Sequence, residues 1–260
     1  MAGRRGLSNM PRHIHFALLA LAAAAPCLSQ VPPAIHVVAH RGAMRWAPEN
    51  TLPAFHKAIA MGADVIEMDV RQTLDGHFVI MHDESVDRTT DGEGLVRDLT
   101  LEQIRKLSAH GERVPTLEEA LDAIQGRALP DIDLKAGDPR KLAAVLKRRN
   151  LLRQATVHGR NWRTLSAGGQ FIVRADLPVG RSGLAELLGE NWPAIISLDA
   201  ARFSEQIIHE IHRSGRKAYV STVGVFDHEA GIRRVLESGA DYIESDRPDL
   251  VAAIVAQKSN

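Results

Sequence analysis

The residues with the clearest chemical capacity lie between Val65 and Asp83, in the stretch VIEMDVRQTLDGHFVIMHD. Val65, Ile66, Met68 and Val70 are apolar, and Glu67 and Asp69 alternate with them, which is the pattern of a β-strand. Residues two apart on a strand share a face, so the two carboxylates point the same way. Asp75-Gly76 is a two-residue hairpin signal, and His77–His82 reads as the return strand. Folding symmetrically about that turn lays His82 opposite Asp69. Two carboxylates and an imidazole then converge on one spot, which suits a hard cation such as Mg2+ or Ca2+ with an acid–base group beside it. Taken alone, the hairpin would equally suit a solvated polar face.

Other segments add to this group. The apolar stretch Ile35–His40 ends in His40-Arg41-Gly42, and Leu129–Lys135 carries Asp131, Asp133 and Lys135 on one face by period two. Glu67, Asp69 and Asp133 together make an all-oxygen site, whereas zinc would draw more nitrogen or sulfur. His40 and His82 are of the type that titrates near neutral pH and can serve as general base and general acid. Arg41 offers a planar fork for phosphate oxygens and Lys135 a point charge. A divalent cation, an arginine, a lysine and two histidines are the equipment for cleaving a phosphodiester. The cations offset charge on the phosphoryl oxygens while the histidines move protons.

The elements that must position these residues alternate along the chain. Eight short apolar segments recur: 35–40, 65–70, 129–135, 155–158, 171–174, 194–198, 218–221 and 242–244. Amphipathic stretches lie between them, including 51–61, 116–124, 139–148, 204–214 and 229–238. Thr116, Asp138 and Ser204 stand where helices should start, and Gly62, Gly215 and Gly239 where they should stop. This alternation predicts an α/β fold, a (β/α)8 TIM barrel with a small hairpin-containing insertion after the second strand. An open doubly wound sheet is the alternative, but no glycine-rich dinucleotide loop supports it. Barrel enzymes work at the carboxyl ends of their strands, where His40, Glu67, Asp69 and Asp133 are expected. A core strand accepts inward carboxylates only when they are paired or bind a cation. Asp131 is either a helper behind the metal ligands or, as favoured here, a solvated residue at the strand's entry.

Composition narrows the partners. Lys+Arg and Asp+Glu both number 32, and aromatic residues make up 4% of the chain, so neither a basic surface nor stacking platforms point to nucleic acid. A small-molecule phosphodiester is the expected partner. Residues 1–29 read as a secretory signal peptide: Arg4, Arg5 and Arg12, an apolar run from Phe16 to Ala25, then small residues. The run is too short for a stable membrane span. The remaining residues, 30–260, form the catalytic domain, exported to the periplasm or secreted. Cys27 is the sole cysteine, so the mature chain has no disulfide. Lipid anchoring at Cys27 is disfavoured by Pro26 before it.

At the level of motifs the chain resembles the glycerophosphodiester phosphodiesterases. The resemblance rests on His40-Arg41-Gly42, Pro48-Glu49-Asn50-Thr51, Gly62-Ala63, Glu67-x-Asp69-Val70 and Thr73-x-Asp75-Gly76. It continues through His82-Asp83, Asp87-Arg88-Thr89-Thr90, 114–119 (VPTLEE), Gly239-Ala240-Asp241 and Ser245-Asp246-x-Pro248. It implies a barrel with an insertion over its rim at about 70–114, and a divalent cation on Glu67, Asp69 and the third-strand acid. It also implies His40 and His82 as the acid–base pair, with Arg41 and Lys135 on the phosphate; Glu49, Ser221 and Trp46, the last in the loop after the first strand, are further expected around the substrate. The implied reaction turns a glycerophosphodiester and water into glycerol 3-phosphate and an alcohol, by direct attack of water or through a cyclic phosphate. A phospholipase D-like enzyme acting on lysophospholipids and an inactive barrel that only binds phosphate esters are the competing readings. Scarce aromatics speak against the first, and the joint presence of both histidines against the second.

Two departures from the family pattern stand out. Asp133 occupies the place of a glutamate two residues before Lys135, one methylene shorter. Ser221-Thr222-Val223-Gly224 stands where relatives carry Trp-Thr-Val-Asn, which predicts a roomier or more polar pocket. His158 and Arg174, ending the fourth and fifth strands, are either contacts to a charged headgroup or rim residues with no role. His36 is expected low in the barrel as a hydrogen-bonded core residue.

Overall fold

The computed structural model describes residues 35–178 and 192–258; the expected leader and its cleavage region lie outside them. Among the described residues eleven strands run in chain order: β1 His36–Ala39, β2 Val65–Gln72, β3 Phe78–Ile80, β4 Ser108–Ala109, β5 Glu112–Arg113, β6 Leu129–Ala136, β7 Thr156–His158, β8 Ile172–Asp176, β9 Ile195–Asp199, β10 Lys217–Ser221 and β11 Tyr242–Ser245. One sheet holds nine of them. β3 hangs antiparallel on β2, and the other eight are parallel and close into a barrel, since β1 pairs with both β11 and β2. The helices between them are α1 Leu52–Ala60, α2 Leu101–Ile104, α3 Leu117–Ile124, α4 Pro139–Arg148, α5 Trp162–Gly168, α6 Glu205–Arg213, α7 Glu229–Glu237 and α8 Pro248–Lys258. All eight expected strands are present, and the barrel is confirmed.

Local chemistry sets the helix boundaries. Thr116 and Glu119 form a reciprocal capping box at α3, Asp138 accepts the Arg140 N–H ahead of Pro139 at α4, and Ser204 caps α6. Strand periodicity divides the core. Outward residues such as Ile66, Met68, Ile132, Val157, Val220 and Ile243 pack under the helices in one large apolar cluster. Inward residues Val38, Val65, Ile195 and Tyr219 form a separate plug inside the barrel. His36 sits at the amino end of this plug, stacked on Tyr242 at 4.6 Å and bonded to Asp64 at 3.1 Å, as its position predicts.

The insertion between β2 and α3 has its own apolar core of Val79, Met81, Val86, Val96, Ile104, Ala109 and Val114. Its hairpin differs from expectation by one residue. Val70 faces Ile80 and Gln72 faces Phe78, so Met81, not His82, lies opposite Asp69 and donates its N–H to the Asp69 carbonyl at 2.9 Å. The reason is the turn. Thr73 pairs with His77 across three residues, with Gly76 at φ 86°, rather than across the two residues Asp75-Gly76. His82 therefore follows the ladder instead of ending it.

Candidate active site

β1 delivers His40 and, through a tight turn, Arg41. Arg41 adopts φ 53° and Asn50 φ 59°, both left-handed, and the Asn50 N–H donates to the Arg41 carbonyl at 3.0 Å. Between them Gly42, at φ 79°, lies so close to α1 that a Cβ would fall 2.8 Å from the Ala54 carbonyl carbon. This geometry aims the Arg41 main-chain N–H at Glu67 Oε2, 2.8 Å away, and its Nε at Asp69 Oδ2, 3.2 Å away. Asn50 closes the cradle from the other side, donating from Nδ2 to Asp69 Oδ2 at 2.8 Å.

β6 supplies the opposite wall. Its register with β2 slips between Leu134 and Ala136, leaving Lys135 without a partner across the ladder. Such a bulge re-aims a side chain, and Lys135 Nζ reaches Asp133 Oδ2 at 2.6 Å and Asp69 Oδ1 at 3.0 Å. Ligand oxygens of Glu67, Asp69 and Asp133 all come within 4.8 Å of one another. This all-oxygen set, with Glu67 and Asp69 buried, fits a divalent hard cation. Burial and then the charges of Asp69 and Glu244 push the Glu67 carboxyl well above its usual range. Burial acts upward on Asp133 too, but His158 and Lys135 outweigh it and hold that carboxyl below its usual range.

His40 Nδ1 meets Asp246 Oδ1 at 2.8 Å, which fixes the ring. Burial would lower its pKa, but the Asp246 hydrogen bond and the Glu244 charge raise it. Glu244 is an addition to the expected site: its carboxylate is buried and gathers with His40 and Glu67 within 4.8 Å. Its position two residues before Asp246, on the inward face of β11, carried the signal. A cavity of about 690 Å3 opens over these groups and extends past His158 and Ser221 toward Asp176, Asp199 and Arg202. Ser221 lines it, as expected from the residue replacing tryptophan.

Of the remaining expected residues, His158 and Arg174 line the cavity, whereas His82, Glu49 and Trp46 do not. His82 sits at the edge of the insertion, with Nδ1 2.5 Å from Asp83 Oδ1 and its carbonyl held by Arg71, and it is not among the residues lining the cavity. Glu49 lies between two arginines, accepting from Arg41 at 3.1 Å and Arg88 at 2.8 and 2.9 Å. Trp46 is 42% exposed, with Arg247 over its ring at 5.7 Å. Asp131 overturns its expectation. It is fully buried below the site, accepts from Thr156 at 2.6 Å and pairs with Arg174 at 3.3 Å. Arg174 is equally buried, donates to Ser197 at 3.2 Å and lies over the Tyr219 ring at 4.1 Å. His158 faces Asp133 Oδ2 at 3.3 Å and Asp176 Oδ2 at 3.1 Å. Burial and Arg174 would lower its pKa, but the two carboxylates push it up to about 9.

A parallel barrel with acids, histidines and paired cations at its carboxyl end defines a hydrolase of phosphoric diesters. The family model of the glycerophosphoryl diester phosphodiesterase family matches residues 40–166. A glycerophosphodiester phosphodiesterase of Caldanaerobacter subterraneus is 35% identical over 84% of this chain and 97% of its own length. One of Bacillus subtilis is 37% identical over 84% and 86%. The crystal structure of a glycerophosphodiester phosphodiesterase from Agrobacterium tumefaciens superposes with a TM-score of 0.75 at 34% identity, covering 84% of this chain and 99% of the other. A phosphodiesterase from Oleispira antarctica, in complex with the product sn-glycerol-3-phosphate, superposes with a TM-score of 0.74 at 26% identity, over 85% and 96%. The chain belongs to the glycerophosphodiester phosphodiesterase family.

Proposed function

We propose that this enzyme hydrolyses glycerophosphodiesters to glycerol 3-phosphate and an alcohol, using one Mg2+ or Ca2+ ion and the acid–base pair His40 and His82. The observation that carries the reading is the cross-braced cluster: Glu67, Asp69 and Asp133 gathered within 4.8 Å, with Lys135 bridging two of them and Arg41 on a third side. Glu67, Asp69 and Asp133 would hold the ion, which when bound would polarise the phosphoryl group and offset its charge. Arg41 and Lys135 bind the non-bridging oxygens. His40, steadied by Asp246, and His82, steadied by Asp83, exchange protons with the attacking and leaving oxygens. The P–O bond to the alcohol breaks as the new P–O bond forms, and the leaving oxygen takes up a proton. Ser221 and the outer cavity receive the departing alcohol. Residues 1–29 direct export, and no described helix is long and apolar enough to cross a membrane.

Purified protein is incubated with glycerophosphocholine, glycerophosphoethanolamine or lysophosphatidylcholine, with Mg2+ or Ca2+ and then with EDTA. The expected result is glycerol 3-phosphate from the first two, lost with EDTA and in His40→Ala or His82→Ala. Tight phosphate-ester binding without turnover of any diester would overturn the reading. Export is checked by the mass of the mature chain recovered from the periplasm or medium.

A further inference from the structure

We infer that His158 is a positioning residue that substitutes for the missing methylene of the third-strand acid, holding Asp133 at a bound divalent cation. This rests on the proposal that Glu67, Asp69 and Asp133 hold such an ion. Asp133 is too short to reach far from β6, so where its carboxylate sits depends on what grips it. Two side chains do. Lys135 Nζ at 2.6 Å and His158 Nδ1 at 3.3 Å both meet Oδ2, and neither engages Oδ1. Lys135 pulls from the same strand toward Asp69, which it also contacts. His158 acts from the neighbouring strand, since Asp133 and His158 are register partners between β6 and β7. The two side chains thus approach one oxygen, one from β6 itself and one from β7, and together restrict the torsion of the carboxylate.

The imidazole is itself anchored. Its Nε2 bonds Asp176 Oδ2 at 3.1 Å, while its buried Nδ1 makes no hydrogen bond and lies 3.3 Å from Asp133 Oδ2 as an ion-pair contact. A histidine held at its far nitrogen while the near one faces a ligating carboxylate is the arrangement by which an outer residue orients a metal ligand, and removing it commonly costs 10–100-fold in affinity. A rim residue contacting only a substrate headgroup would need neither the burial nor the second bond to Asp176.

The test is Mn2+ binding to the whole protein, followed by electron paramagnetic resonance of free ion and by calorimetry, with no substrate present. His158→Gln is expected to weaken binding roughly 10- to 100-fold. Asp176→Asn, an isosteric change at an exposed side chain, is expected to weaken it several-fold. The double variant His158→Gln/Asp133→Glu should recover most of the loss, because the longer acid needs no lateral grip. Wild-type binding with an unchanged dissociation constant in both His158→Gln and Asp176→Asn would overturn the inference alone. Failure of the longer acid to recover binding in His158→Gln would also overturn it. Absence of Mn2+ binding by the wild type would overturn the metal reading and the inference together.

Discussion

Arg88 of the insertion grips Glu49 of the β1–α1 loop with both terminal nitrogens, at 2.8 and 2.9 Å. The same guanidinium donates from Nε to Asp83 at 2.6 Å, and Asp83 meets His82. On the other side Glu49 accepts from Arg41, which meets Asp69. A chain of charge-assisted hydrogen bonds, ending in an ion-pair contact, therefore runs from His82 on the insertion through Glu49 and Arg41 to Asp69 of the proposed metal site. Arg88→Ala should lower kcat/KM on a glycerophosphodiester by roughly 3- to 10-fold, a bidentate pair discounted for the exposure of its guanidinium. Arg88→Lys should recover only part, because an ammonium cannot grip both oxygens in parallel. Steady-state kinetics on both variants checks this.

The Glu49 pair also sets a pH signature. Burial acts upward on this carboxyl, but Arg88 and Arg41 outweigh it and hold its pKa below the usual value. A carboxyl lowered in the folded state stabilises the fold above its unfolded pKa, near about 4.3, and that contribution is lost as pH falls through the folded value. Glu49→Gln should therefore melt below the wild type at pH 7, and the two melting curves should converge well below pH ~4. A constant gap across that range would refute the assignment.

Asp131 and Arg174 form a buried ion pair whose halves are not independently replaceable. Arg174→Met leaves an uncompensated carboxylate and should cost about 3–5 kcal/mol, while Asp131→Leu/Arg174→Met, which removes both charges, should regain most of it. Urea denaturation of the single and double variants gives the coupling directly.

Asp246 steadies His40 through Nδ1 at 2.8 Å. Asp246→Asn should reduce kcat by roughly 10²-fold or more, the scale of acid–base catalysis, while KM changes little. A matched loss in KM instead would assign Asp246 to substrate binding.

Much of this architecture was legible from periodicity. The eight strands and the caps at Thr116, Asp138 and Ser204 follow from alternation and local hydrogen-bonding capacity, both properties of short segments. Glu67, Asp69 and Asp133 were legible because inward carboxylates on adjacent parallel strands must meet. The hairpin register was not, since Asp75-Gly76 serves equally a two-residue turn and the three-residue turn that forms. Nor was the burial of Asp131. Its partner Arg174 lies 43 positions along the chain, and nothing local signals an ion pair formed across the inside of a barrel. The bulge at Lys135 was equally hidden, because it arises from the mismatch between β2 and β6.

The register of the hairpin has a mechanical result. Because His82 falls just past the ladder, its main chain is pinned by Arg71, whose Nε and one terminal nitrogen take the carbonyl oxygen at 3.0 and 2.7 Å. Its imidazole, tethered only at Nδ1, hangs from that fixed pivot. Release of the Asp83 contact would let rotation about two side-chain torsions swing the ring over an arc while the backbone stays still. For the proposed role of His82 in proton transfer, this pivot is a hinge one side chain wide.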